Sequence, residues 1–475
     1  MKVAKFGGSS LSNATQIKKV ASIVQNDKVI KTIVVSAPGK RHDADVKVTD
    51  MLIALYANKI AGIDTDDALN EILERYKSII EELSIDPSLL DDFERILSDY
   101  LNTIEDNEAL LDALKSRGED FNARLISTYL QSLGISAKYV SPEEAGIKVT
   151  NTPANARLIP TSYDDINKLK DYPEDVLVIP GFYGIADNGN IVTFARGGSD
   201  ITGAIIARGI RADIYENYTD ESHIYAAHPG IIDEPYKIEE ITYREMRELA
   251  YAGFGIFHDE ALEPLYQEKI PVMIRNTNEP HIEGTKIVPE RTLDPNIPVI
   301  GFSCDEGFTS ISLHKYLLNK EIGFTRRILQ ILEDYHISYE HMPSGIDDIS
   351  IIMRSNQFEG NNSLDKIIEE INLQLEPEWI EVEEDLSLLF IVGLGMARQI
   401  GIVSRVTTAL AEEKVNIRMM NQGSTEYSMM SAIKNEHHKI CNCQYNNNYL
   451  GKSETDRTFV LSQLNPSKIV FISQK

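Results

Sequence analysis

Lys5 stands just ahead of Gly7-Gly8-Ser9-Ser10, at the end of a short apolar run that reads as a buried strand. A helical pattern with Ile17, Val20 and Val24 on one face follows. Two adjacent residues without a Cβ let backbone N–H groups converge in a concave nest, and the helix start behind them adds partial positive charge. A polyphosphate fits such a turn, with Lys5 as a point charge on its oxygens. The same parts recur at Arg196-Gly197-Gly198-Ser199-Asp200, ahead of an apolar helix from Ile201 to Ile210. Arg196 offers a planar fork for a carboxylate or phosphate, and Ser199 or Asp200 is expected to cap the helix. One such turn is an ordinary strand end as often as a site. Two, one carrying a lysine and one an arginine, suit a transferase that must hold two anions at once.

The surrounding elements read as an α/β sheet. Val29 to Ser36 is nearly continuous in apolar and β-branched residues, as in a strand buried on both faces, and it ends in Ala37-Pro38-Gly39. Ligands of open α/β sheets lie at this carboxyl edge, which places Ser36 beside a small substrate. Thr49 reads as the N-cap of the next helix. From about 58 to 117 the pattern turns to acidic helices with spaced Leu and Ile, an insertion without visible chemistry. Leu177 to Ile179 is a strand running into Pro180-Gly181-Phe182, and Gly189-Asn190 turns a hairpin into Ile191 to Phe194. Asp213 to Tyr218 is a strand leading to Thr219-Asp220 and Tyr225; an amphipathic helix at Tyr243 to Tyr251 and a strand at Ile270 to Asn276 follow. P-loop and protein-kinase motifs do not occur.

At 475 residues the chain suggests about three domains, on a prior of ~150 residues each. A net charge of −26 opposes binding to nucleic acid or an anionic membrane, so an anionic nucleotide needs a local positive site. Three cysteines, Cys304, Cys441 and Cys443, are too few for a disulfide framework, and no apolar run reaches the ~20 residues of a membrane span; both point to the cytoplasm.

Beyond about 297 the chain repeats. Gly323-Phe324-Thr325-Arg326-Arg327-Ile328 aligns with Gly401-Ile402-Val403-Ser404-Arg405-Val406, and Gly345 with Gly423, both at an offset of 78. Each copy has an amphipathic helix followed by strand, with Phe324, Ile328, Leu332 and Tyr335 on one and Ile402, Val406 and Leu410 on the other. Residues 437–449 are poor helix formers, and His437, His438, Cys441 and Cys443 match no closed tetrahedral zinc spacing.

Lys5-Phe6-Gly7-Gly8-Ser9-Ser10 resembles the opening signature of the aspartate kinases, members of the amino-acid kinase family, and Arg196-Gly197-Gly198-Ser199-Asp200 is similar to their second motif. The repeat resembles tandem ACT domains, small amino-acid-sensing modules. The resemblance implies an α/β fold: a three-layer α/β/α sandwich at 1–290 with the helical insertion at 58–117, then two ferredoxin-like (βαββαβ) ACT domains. The first, at 297–385, is expected to be inserted in the second, at 386–452, and an atypical tail occupies 453–475.

It further implies the reaction of ATP with L-aspartate to give ADP and 4-phospho-L-aspartate, the entry to lysine, threonine and methionine synthesis, with Mg²⁺ carried by ATP and no metal site of the protein's own. Lys5 and Asp200 correspond to the catalytic pair. Lys5, Gly7, Gly8, Ser9, Thr219, Asp220 and Tyr225 correspond to the ATP site. Ser36, Thr49, Glu119, Phe182, Arg196, Gly197, Gly198 and Ser199 correspond to the aspartate site, with Glu119 on the amino group and Arg196 on the α-carboxylate. Read alone, Glu119 is a helix-start glutamate. An amino-acid effector, lysine or also threonine, is implied at Gly323, Phe324, Ser344, Gly345, Asp347 and Asp348, in a homodimer or dimer of dimers. Ser222-His223 and His228-Pro229-Gly230 depart from the family's Asp-Gly and Asp-Pro-Arg, and both histidines read as solvated. The alternatives are another amino-acid kinase, such as one acting on glutamate, or a catalytically weak sensor.

Overall fold

The computed structural model describes residues 1–437 apart from 196, 228–234, 252–256, 258, 296, 361 and 398. Arg196, His228-Pro229-Gly230, His438, Cys441, Cys443 and the 453–475 tail therefore lie outside the described residues. The chain divides into two compact units, one of residues 1–224, 237–250 and 255–291, the other of 225–236, 251–254 and 292–475. No helix among the described residues is long and apolar enough to cross a membrane.

The first unit is built on an eight-stranded sheet. Its order is Glu240–Thr242, Thr285–Val288, Val272–Asn276, Ile214–Thr219, Lys2–Phe6, Ile30–Val35, Val176–Pro180 and Ala137–Tyr139. All pairs are parallel except Val272–Asn276 with Thr285–Val288, as expected of apolar strands covered on both faces by helices. Lys2–Phe6 is central, with Val3, Ala4 and Phe6 fully buried, and its register sets Lys5 opposite Val34 on one side and Asn217 on the other. A hairpin of Tyr183–Ala186 and Ile191–Thr193 joins Lys148–Val149 in a separate small sheet.

Helices Val48–Ile60, Asp66–Leu83, Ser88–Thr103 and Asn107–Ser132 pack around Tyr76, Phe93 and Phe121, the last two stacked with centroids 4.1 Å apart. The final helix is 26 residues long and runs through Gly118, so Glu119 sits in mid-helix and not at a helix start. Its glycine is explained by close approach: a Cβ at Gly118 would lie 2.7 Å from Ala37 Cβ. Thr49 is likewise not a cap. Helix Val48–Ile60 starts one residue earlier, behind Lys47, and has no side-chain cap.

The second unit contains one antiparallel five-stranded sheet, ordered Asp348–Arg354, Gly301–His314, Trp379–Val392, Ser428–Lys434 and Met419–Gln422. Two of its strands are 14 residues long and serve both copies of the repeat. Ile311 and Leu313, near one end, join a core with Phe324, Ile328, Leu332, Ile367 and Ile371. Leu389 and Ile391, toward the other, join Val299, Ile402, Val406 and Leu410. Between the halves the pairing slips at Gly307, whose φ is 85°, close to Asp385, whose φ is 58°, a bulge separating two registers. Helices Phe324–Asp334 and Ile402–Glu412 each begin behind a glycine, Gly323 and Gly401, with φ of 80° and 91°.

Candidate active site

Lys5 is held at the end of the central strand, 8 % exposed, with its Nζ 2.7 Å from Asp200 Oδ1. Asn217, its neighbour on Ile214–Thr219, donates to the same oxygen at 3.0 Å. The chain then turns: Gly7 N donates to Tyr218 O at 3.1 Å, and Gly8 precedes the short 3₁₀ segment Ser9–Leu11. Gly39 N donates to Gly8 O at 2.9 Å, and a Cβ on Gly39 would come within 2.6 Å of the Gly8 carbonyl carbon. The turn and the Ala37–Gly39 loop are thus packed backbone against backbone.

The second glycine turn comes to the same lysine. Helix Gly198–Gly209 starts behind Gly197, whose φ is 80°, and no side chain caps it. The expected capping by Ser199 or Asp200 is therefore incorrect: the helix begins ahead of both, and Asp200, in its first turn, is drawn to Lys5 and Asn217. Phe182 faces this turn in a left-handed conformation, φ 78°, its N–H on Thr202 Oγ1 at 3.0 Å. A Cβ on Gly198 would meet Phe182 Cδ2 at 2.6 Å, and one on Gly181 would meet Ser199 Cβ at 2.7 Å. An ordinary residue with positive φ, held in place by such contacts, is strain of the kind that collects at functional sites.

Glu119 is 5 % exposed, and its Oε2 has no hydrogen-bond partner among the described residues. Burial pushes its carboxyl up to about 8, against hydrogen bonds from backbone N–H groups, Ala37's among them, and the attraction of Arg117 and Lys5. A buried carboxylate with an oxygen left over is costly unless something positive completes it. Next to it, Asp120 is fully paired, with Arg117 at 3.0 Å, Arg124 at 2.9 Å and Tyr183 Oη at 3.0 Å. Burial raises that carboxyl, but the two arginines hold it below the usual range.

Ser36 and Thr49 are half-buried beside this region; Ser36 O accepts from Asn122 Nδ2 at 2.6 Å, and Asn122 Oδ1 has no partner among the described residues. Thr219 and Asp220 lie at the end of their strand, bonded to each other at 2.9 Å. Asn276 Nδ2 donates to Asp220 O and to Ser222 Oγ, each at 2.9 Å, and Ser222 donates to Glu279 at 2.7 Å. His223 is 7 % exposed with its pKa lowered by burial, so the expectation that it is solvated does not hold. Tyr225 is counted with the second unit.

In the second unit, Asp347 Oδ1 accepts from Leu317 N at 2.8 Å, and Asp348 pairs with His314 at 2.6 Å. Ser344 forms an isolated bridge with Ile349, and Gly345 N donates to Asp348 O at 2.8 Å. Asn217, Asn122 and Asn276 escaped the sequence reading. An asparagine between Glu216 and Tyr218 within a strand, and one a helical turn beyond Glu119, were the available signals.

Residues 1–276 match the amino acid kinase family and residues 389–440 match the ACT domain. Over 438 residues the chain is 46 % identical to aspartokinase 3 of Bacillus subtilis, covering 91 % of this chain and 95 % of that one. The crystal structure of Clostridium acetobutylicum aspartate kinase, described as an allosteric enzyme, superposes with a TM-score of 0.80 at 38 % identity, covering 93 % of this chain and 98 % of that one. Aspartokinase III of E. coli, solved with aspartate and ADP and also with lysine and aspartate, shares the fold at TM-scores of 0.75 and 0.67, at 22 % and 23 % identity, each covering 94 % of this chain and 98 % of its own. The two glycine turns meeting at Lys5 therefore have a family: the chain belongs to the amino acid kinases and, among them, to the aspartokinases, phosphotransferases with a carboxyl group as acceptor.

Proposed function

We propose that the first unit binds ATP and L-aspartate at the carboxyl edge of its sheet, by the following roles. Lys5, the backbone N–H groups of the Gly7-Gly8-Ser9 turn and the start of helix Gly198–Gly209 take the phosphate charge, with Thr219 and Asp220 bordering the nucleotide. Glu119 takes the ammonium of aspartate and Arg196 its α-carboxylate, while Ser36, Thr49, Phe182, Gly197, Gly198 and Ser199 shape the pocket. A side-chain carboxylate oxygen attacks the γ-phosphorus as the bond to the β–γ bridging oxygen breaks, and the electron pair leaves with ADP. The nucleophile is already ionised, so positioning and charge neutralisation are the whole task. Mg²⁺, brought by the nucleotide, neutralises phosphate charge. Asp200, engaged among the described residues on Lys5 and Asn217 through Oδ1, is the carboxylate available to it.

The observation that carries this reading is Glu119: a buried carboxylate with an orphaned oxygen, close enough to Lys5 to feel its charge. The test is acyl-phosphate formation from ATP, trapped with hydroxylamine, with aspartate, glutamate and acetylglutamate as acceptors. Aspartate is expected to be preferred; preference for another acceptor overturns the assignment of Glu119 and Arg196.

The second unit is proposed as the regulatory part, with a first, inner copy within 297–385, of which Val299, Phe302 and Cys304 pack with the other copy, and a second, outer copy at 386–452. An effector amino acid sets its carboxylate at the Gly323-Phe324 helix start and its ammonium on Asp347, near Ser344 and Gly345. Asp348 is already paired with His314 and takes a smaller part than the sequence suggested. Lysine is the proposed effector, alone or with threonine. Ile322 and Ile400, at matching positions of the two copies, are 99 % and 95 % exposed, which supports pairing with a second chain in a homodimer. We place the enzyme in the cytoplasm. Lysine is expected to inhibit, and Asp347→Ala to raise the lysine concentration for half-inhibition at least ~5-fold with kcat unchanged. If lysine and threonine, singly or together, neither bind nor inhibit and Asp347→Ala matches the parent, the regulatory reading is wrong.

A further inference from the structure

One buried side chain of the helical insertion reaches the flanks of the glycine turn. Arg75, on helix Asp66–Leu83, is 5 % exposed. Its Nη2 donates to Gly39 O at 2.6 Å and to Ser12 O at 3.2 Å, and its Nη1 donates to Asp45 Oδ2 at 2.7 Å. Ser12 follows the Gly7-Gly8 turn and Gly39 closes the Ala37–Gly39 loop, so one guanidinium grips both flanks of the turn. Asp45 is gripped in addition by Arg41, through Nε and Nη2 at 2.8 Å each and through its backbone N–H, which ties 41–45 into a closed loop on the same clamp.

The Ala37–Gly39 loop touches both halves of the site. Gly39 N bonds to Gly8 O in the phosphate-type turn, and Ala37 packs against Gly118, the residue before Glu119, its Cβ 2.7 Å from where a Gly118 Cβ would stand. With a Gly39 Cβ position only 2.6 Å from the Gly8 carbonyl carbon, there is no slack between loop and turn. Any shift of Gly39 therefore moves the turn and the backbone packed beside Glu119 together.

We propose that Arg75 is a positioning residue for phosphoryl transfer, fixing through the Ala37–Gly39 loop the separation between the glycine turn and the Glu119 subsite. This rests on the reading of that turn as the phosphate site. In-line alignment matters more in the transition state than in binding, and a misplacement of ~1 Å costs ~10²-fold in rate. Lysine cannot replace the residue, because one ammonium does not reproduce a planar fork with donors to two carbonyls and a carboxylate.

The experiment compares Arg75→Lys with Asp45→Asn, measuring kcat, both KM values and Tm. Arg75→Lys is expected to lower kcat ~10–100-fold with KM for ATP and for aspartate within about threefold. Asp45→Asn, which leaves both carbonyl contacts of Arg75 in place, is expected to lower Tm while kcat stays within about threefold. If Arg75→Lys folds poorly, Arg75→Gln, which keeps an amide donor toward Gly39, takes its place with the same expected split. Normal kcat in the Arg75 variant, or an equal loss in Asp45→Asn, overturns the proposal by reducing Arg75 to a stabilising ion pair. A Lys5→Ala enzyme of full activity would instead remove the phosphate-site reading beneath it.

Discussion

Lys5→Ala is expected to lower kcat by at least ~10²-fold, the scale of losing one preorganised charge at a transition state, or roughly 3 kcal/mol. The lysine is fixed before substrate arrives: it lies on the central strand, opposite Asn217, with Asp200 2.7 Å away. In the proposed role its charge would meet the phosphoryl oxygens without reorganisation. The fold should survive, because the Asp200 side chain is 15 % exposed and keeps its bond from Asn217, so water can solvate what the lysine leaves. Steady-state turnover at saturating ATP and aspartate, with circular dichroism as the folding check, decides it. Near-normal turnover would remove Lys5 from the mechanism.

The second large effect falls on substrate affinity and carries a pH signature. Glu119→Gln is expected to raise KM for aspartate roughly 10–100-fold while leaving KM for ATP near the parent value, the loss of a charge-assisted bond worth about 1.5–3 kcal/mol. Burial raises the Glu119 carboxyl to about 8 in the unliganded protein, so near neutrality it is largely protonated. An arriving ammonium favours the carboxylate, and binding then expels a proton. KM for aspartate in the parent should fall as pH rises from about 6.5 toward 8, and Glu119→Gln should flatten that slope. Stability changes with pH in the opposite direction. With the folded value above the ordinary 4.5, stability from the neutral acid is present at low pH and is lost as pH rises from about 4.5 to 8. A Glu119→Gln enzyme with parental KM for aspartate at every pH would show that the ammonium goes elsewhere.

What the sequence disclosed was local. Lys5 before Gly7-Gly8, and Gly197-Gly198 before an apolar helix, are short-range patterns whose backbone consequences follow from glycine itself. The buried strands and the repeat helices were legible for a similar reason, since Phe324, Ile328 and Leu332, or Ile402, Val406 and Leu410, recur at helical spacing and do form the two cores. The partners of those residues were not legible. Asn217 reaches Asp200 because of strand register, and Arg75 reaches Gly39 across 36 positions of chain. The cap assignments at Thr49 and Ser199 erred by a residue or two, because helices here begin at glycine or at an uncapped lysine. His223 looked like a loop histidine and is buried under contacts that no sequence period encodes.

The two long strands of the second unit also set an order of events during synthesis. Val299, Phe302 and Cys304 belong to the outer copy's core, yet they leave the ribosome some distance ahead of Leu389, Ile391 and helix Ile402–Glu412, which cover them. The inner copy, closed by Ile367, Ile371 and Leu375 against Ile311 and Leu313, has all its parts available first. A growing chain can therefore complete one sensor-like module while half of each shared strand still waits for its mate. The bulge at Gly307 and Asp385 then marks where a finished half-sheet becomes the template on which the later half is laid.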